Sequence, residues 1–193
     1  MSVFSGLSIV QSLIGVVALF AAAFFFSRRS RVKHSHRWRI RSAAKALEKI
    51  RGFRNNGQVF TYVRKVDPFV FEEMILLAIS DRDDVEVARG SNRYTGDGGV
   101  DGTFFLTSGG LQRKVLIQAK RYKSHINKQH VEAFGHVLMQ KRAAFGLFVH
   151  TGRTGKASRG EATARGNIRI ISGDALVRLL KYGEFSTPFP PGY

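Results

Sequence analysis

The chain has 193 residues, room for one modest domain with additions, and no cysteine, which excludes a disulfide-stapled scaffold, a cysteine zinc module and a thiol catalyst and makes a reducing compartment the simpler home. Hydrophobic residues make up 44%, with 16 Phe, so the chain can bury a core that a disordered polyelectrolyte cannot. Lys and Arg number 31 against 14 Asp and Glu, and this net charge of +17 calls for a polyanionic partner, either nucleic acid or anionic lipid.

Residues 3–26 carry no charge, with Gln11 and three serines as their only polar members. As a helix they would reach about 36 Å, enough to cross a bilayer core of about 30 Å. No base precedes this run, and Arg28, Arg29, Arg31 and Lys33 follow it directly. That order is the reverse of a cleaved secretory signal and places the N-terminus outside and the body on the cytoplasmic side. Residues 1–27 are therefore expected to be a single transmembrane helix in the cell's inner, cytoplasmic membrane; a buried core helix is the alternative reading. Residues 28–66 form a basic collar, with 11 Lys and Arg between positions 28 and 54 against Glu48 alone. Ala43, Ala46, Leu47 and Ile50 recur at helical spacing, and Asn55-Asn56-Gly57 breaks the pattern. The collar suits anionic membrane lipids, at about 1 kcal/mol per base near the surface. DNA contact is the sharper alternative. His34 and His36 lack further ligands nearby, so no metal site is expected there.

Residues 67–182 read as an α/β domain. Asp67 caps a helix with Pro68 in its first turn and FVFEEMILLAI behind, in which Glu72 and Glu73 are the only charges. Strands follow at 85–88, 100–106 and 112–119, a helix at 127–144, and a buried strand at 146–151. A helix from about 156, a strand at 168–172 and a helix at 173–180 complete the order αβββαβαβα. Residues 183–193 are a Pro-rich tail.

The chemistry concentrates where the second and third strands meet. If Gly109-Gly110 is a two-residue hairpin turn, positions whose numbers sum to 219 face each other, and Asp101 lies opposite Gln118. Directly opposed residues have β-carbons about 5 Å apart on one sheet face. Lys120, two residues on, shares that face with Leu116, while Val115, Ile117 and Ala119 line the other. A carboxylate, an amide oxygen and an ammonium gathered in this way suit phosphodiester hydrolysis. A hard divalent cation needs oxygen ligands, and the attacked phosphate needs positive charge around it. Mg²⁺ is the expected ion, with Mn²⁺ as a substitute. Asp101, the Gln118 side-chain oxygen and the Ala119 carbonyl would hold it, and Lys120 would orient or activate water and stabilise the transition state. Glu72 is the expected auxiliary acid, with Glu73 a close competitor. The plain alternative is a solvated hairpin with a surface lysine.

The runs FVFEEM (69–74), GDGGVDG (96–102), IQAKRY (117–122), GLFVHTG (146–152) and IRIISGDAL (168–176) resemble, in order, the Mrr-like type IV restriction endonuclease family over 115 residues, 67–181. The resemblance implies the PD-(D/E)xK nuclease fold, a mixed central sheet flanked by helices, and divalent-metal cleavage of DNA. It implies that Gln118 stands where the family commonly replaces the middle acid. It also matches Asp101, Gln118 and Lys120 to the catalytic positions and Glu72 to the helix acid. Two positions depart from the family pattern: His150-Thr151 where relatives usually show a Thr-Thr pair, and Ser172-Gly173 where Asp-Gly is frequent. Both bear on substrate contacts more than on metal binding.

GRTGKAS at 152–158 follows a strand and precedes a helix, but it lacks the Gly at 150 and the Ser or Thr at 157 of a phosphate-binding P-loop, so no nucleotide is expected. Thr151, Arg153 and Lys156 suit a DNA-phosphate cradle instead, or an ordinary Gly-rich connector. Arg121, Tyr122 and Lys123 are further DNA-contact candidates, with Tyr122 either stacking on a base or packing under the sheet. His125, His130 and His136 lack zinc spacing. The sequence thus supports a membrane-anchored, Mg²⁺-dependent DNA endonuclease, with homodimer formation possible as in many nucleases that cut both strands. The alternative is a non-cleaving DNA tether on the same fold, and a lipid-surface scaffold leaves the hairpin chemistry unexplained.

Overall fold

The computed structural model describes residues 36–88 and 99–189. The expected anchor, the front of the collar with His34, residues 89–98 and the last four residues of the tail lie outside them. Among the described residues no helix is long and apolar enough to cross a membrane. The chain divides into two compact units, Met1–Arg41 and Ser42–Tyr193, and the second holds the whole sheet and every candidate site residue.

The turn at Gly109-Gly110 organises the sheet. Both glycines have positive φ, 58° and 72°, the left-handed geometry a two-residue hairpin needs. This turn joins β2 (Gly102–Ser108) to β3 (Leu111–Lys120), and every pair from Ser108↔Leu111 to Gly102↔Ile117 sums to 219 as the turn requires. β1 (Val85–Val87) adds antiparallel to β2. β4 (Phe145–His150) and β5 (Ile168–Ile171) join β3 in parallel through helical crossovers, giving a five-stranded mixed sheet in the order β1-β2-β3-β4-β5.

Helices cover both faces because both are apolar. Val115, Ile117 and Ala119 of β3 face one cluster, built with α3 (Pro68–Ser80) and α6 (Asp174–Tyr182). Leu116 and Phe148 face the other, with α4 (Lys128–Gln140) and α5 (Lys156–Arg165). From α3 onward the element order matches the sequence expectation, with ends shifted by a few residues. The Asp67 carboxylate accepts from the Phe69 and Val70 N–H groups, so the predicted cap forms.

The collar differs from its sequence reading. Residues 42–66 are an integral part of the first cluster: α1, described over 36–51, buries Ala43, Ala46, Leu47 and Ile50. Asn55 then caps another helix, α2 (Asn56–Val63), its side chain accepting from the Gly57 N–H. The apolar stripe that suited a membrane surface is a core stripe, since its residues are buried in the same cluster as α3, α6 and the sheet.

Candidate active site

β3, β4 and β5 all run toward one end of the sheet, and their carboxyl ends gather the candidate residues, as ligand sites in open α/β sheets generally do. Asp101 falls just before β2. Its N–H donates to the Ile117 carbonyl at 2.8 Å, and its Oδ2 accepts from the Ala119 N–H at 2.7 Å. The backbone of β3 therefore fixes this carboxylate beside Gln118 and Lys120. Burial pushes the Asp101 carboxyl above the usual value, against the opposing pull of the Ala119 N–H and the Lys120 charge. A carboxylate taken from water without full compensation favours a proton or a cation.

Gln118 supplies the complement. Gly99 has φ 92°, a backbone conformation that favours glycine, and a Cβ there would come within 2.8 Å of the Gln118 Nε2. Gln118 Oε1 is buried without a hydrogen-bond partner among the described residues. An orphaned amide oxygen beside a desolvated carboxylate is a donor set suited to a hard cation. Among the described residues no three His, Cys, Asp or Glu come together as a metal-binding group. An ion here would rest on one acid, one amide and a carbonyl such as that of Ala119, and the pair Asp101 and Gln118 fits such an ion. Lys120 is half-buried and close enough for its charge to act on Asp101.

Helix α3 packs on the sheet face that Ile117 and Ala119 line, with Leu76 against Gly102, the residue after Asp101. Glu72 and Glu73 stand one turn earlier, Glu72 half-buried and Glu73 only 3% exposed, and both are engaged in interactions. Burial alone thus does not reduce the two acids to one.

The DNA-contact candidates separate. Lys123, Arg153 and Lys156 are exposed. Arg121 is exposed too, with its guanidinium donating to the Arg64 and Val66 carbonyls, which ties the end of β3 to the α2–α3 connection. Tyr122 is half-buried, packs against the second cluster and stacks on His130 at 5.6 Å, the packing alternative rather than the base-stacking one. Thr151 is corrected: it is fully buried, its hydroxyl donates to the Tyr122 carbonyl at 2.8 Å and its N–H to the Lys120 carbonyl, so it clamps the exit of β3 and presents nothing to DNA.

That clamp depends on Gly152, where a Cβ would run into the Ser124 carbonyl oxygen. Gly152→Ala is expected to destabilise the fold by at least about 2 kcal/mol, lowering Tm by roughly 4–8 °C in a chain of this size. Gly160→Ala, with open space in α5, should instead stabilise by about 1 kcal/mol. Equal Tm for the two variants would refute the close approach.

Sequence reasoning did not see what the two departures from the family pattern do together. His150 is directly beside Lys120 in the β3–β4 ladder and is fully buried. The Gly152 N–H donates to His150 Nδ1 at 3.2 Å, and His150 Nε2 lies 3.0 Å from Thr154 Oγ1, which lies 2.9 Å from Ser172 Oγ. Since Nδ1 accepts, the neutral ring carries its proton on Nε2. Burial holds the His150 pKa down at about 4, so the ring is uncharged at neutral pH.

Residues 63–180 match a family model described as a restriction endonuclease, the Mrr catalytic domain. The chain is 30% identical over 133 residues to the type IV methyl-directed restriction enzyme EcoKMrr of Escherichia coli (strain K12), a match covering 66% of this chain and 42% of that enzyme. The chain therefore spans less than half the length of this relative. Among solved structures it is similar to the DNA modification-dependent restriction endonuclease AspBHI, with TM-score 0.46 and 23% identity over 76% of this chain and 37% of that one. It is also similar to the MspJI restriction endonuclease in complex with a 27-mer oligonucleotide, with TM-score 0.45 and 17% identity over 66% of this chain and 30% of that one.

Proposed function

From the chain's membership of the Mrr-like restriction endonuclease family, we propose that it is a divalent-metal-dependent DNA endonuclease, tethered to the cytoplasmic membrane by residues 3–26 with its nuclease domain on the cytoplasmic side. The observation that carries the nuclease reading is the pairing of a desolvated Asp101 carboxylate with the orphaned Gln118 Oε1 beside Lys120. Asp101, Gln118 and the Ala119 carbonyl would hold Mg²⁺ or Mn²⁺. Bound there, the ion supplies positive charge at the scissile phosphate and makes water a better nucleophile at neutral pH. Lys120 stabilises the negative charge that develops on the phosphate and orients the attacking water. Glu72 is the auxiliary acid in this reading, and exposed Lys123, Arg153 and Lys156 hold the DNA backbone. Anionic lipids bind the basic residues that follow the anchor.

The test is conversion of supercoiled plasmid by the full chain in a membrane mimetic, with Mg²⁺, Mn²⁺ or EDTA. Nicking that needs the metal and disappears in Asp101→Asn is expected. DNA binding in EDTA with no cutting in either metal would favour the second reading, a membrane-bound DNA tether on the same fold.

A further inference from the structure

On the far side of His150 from Lys120, β5 forms the outer edge of the sheet, and between it and α5 lies a cleft of about 460 Å³. This is within the usual range for small-molecule sites, about 300–1,000 Å³, and holds more than a bare oxyanion. Arg159 and Arg169 line it with the hydroxyls of Thr154, Thr163 and Ser172 and the apolar side of Ile170, and no acid does. Both arginines are exposed, and neither forms an ion pair within the structure described.

The hydroxyls are linked to the active-site side through His150. With the His150 proton on Nε2, Thr154 Oγ1 accepts from the ring, and Thr154 and Ser172 share one hydroxyl hydrogen, which either can donate. The pair's other hydroxyl hydrogen is left for a ligand in the cleft. Two guanidiniums, a free hydroxyl donor and no carboxylate together recognise a phosphate, and the apolar side chain gives a sugar or base something to lie against.

We infer that this cleft is a second strand site, taking a nucleotide of the DNA outside the scissile step, with its phosphate between Arg159 and Arg169. The inference rests on the nuclease reading. Strands are about 4.8 Å apart, so β5 lies about 10 Å from β3, and with a phosphate every 3.4 Å of helix axis per strand the cleft meets DNA about three nucleotides from the cut. His150, Thr154 and Ser172 join the two places in one hydrogen-bonded chain.

The test uses the full chain with Arg159→Ala/Arg169→Ala, beside Lys114→Ala/Lys141→Ala, which removes equal charge from the far end of β3 and from the residue after α4. Binding of a fluorescent duplex is followed in EDTA as a function of salt. The cleft variant should bind about tenfold more weakly and lose about two units of the salt slope, while the control keeps the wild-type slope. Unchanged slope in the cleft variant, or equal losses in both variants, overturns the strand site. Competition by thymidine 3′,5′-bisphosphate separates the sources. If it binds the wild type as tightly as duplex does, and the cleft variant not at all, the cleft takes free nucleotide and the strand assignment falls. If the wild type never nicks but shows the arginine-dependent slope, the cleft stands and the cutting reading falls. If it nicks and the slope is insensitive to both arginines, only the cleft falls.

Discussion

Replacing Lys120 by alanine is expected to slow metal-dependent nicking about 10³-fold while changing duplex affinity less than about threefold. The asymmetry follows from position. Lys120 shares a sheet face with Gln118, is half-buried at the end of β3 and acts on the same carboxylate that β3 holds through the Ala119 N–H. In the proposed reaction its charge acts on the reacting phosphate, whereas affinity is expected to be spread over many backbone contacts. Lys120→Arg should recover little, because a planar guanidinium cannot replace a compact ammonium in a site of this size. Single-turnover conversion of supercoiled plasmid measures the rate, and anisotropy in EDTA measures the affinity. A Lys120→Ala protein that nicks within tenfold of wild type would remove the lysine from the chemistry and with it the proposed site.

Acidification should weaken the fold through His150. Burial lowers its pKa from 6.5 to about 4, so between these values the unfolded chain binds a proton that the folded chain refuses. The stabilisation is fully present above about pH 6.5 and is lost as the pH falls toward 4, about 3 kcal/mol in all and about 2 kcal/mol of it by pH 5. Asp101 works in the opposite sense: its raised pKa means that the folded state binds a proton before the unfolded state does, which adds stability as the carboxyl titrates. Urea unfolding of wild type and His150→Gln at about pH 7.5 and pH 5 isolates the histidine. The wild type should lose about 2 kcal/mol more than the variant on acidification, and equal losses would show that the ring is protonated within the fold.

Much of this molecule is legible from local patterns. The two glycines at 109 and 110 fix the turn, the turn fixes the register, and the register decides which side chains share a face, so the meeting of Asp101 with Gln118 and Lys120 was accessible from spacing alone. The cap at Asp67 and the alternation in β3 are local in the same way. The amphipathic stripe of residues 43–50 was visible too, but not its destination, since a helix with one apolar face fits a membrane surface or a protein core equally well. Gly99 could have been read as a close approach from its place in GDGGVDG. Thr151 could not be assigned, because a threonine after a buried strand reads the same whether its hydroxyl faces DNA or the Tyr122 carbonyl.

By itself the sequence determined the element order from α3 onward, the hairpin register and the chemical character of the site, because each follows from spacing along one or two neighbouring segments. Only the tertiary structure decided that residues 42–66 close the first core, that Arg121 is tied to the α2–α3 connection, and that His150, Thr154 and Ser172 join into one chain. Those facts depend on which distant segments the crossovers bring to the same end of the sheet, and no periodicity records them.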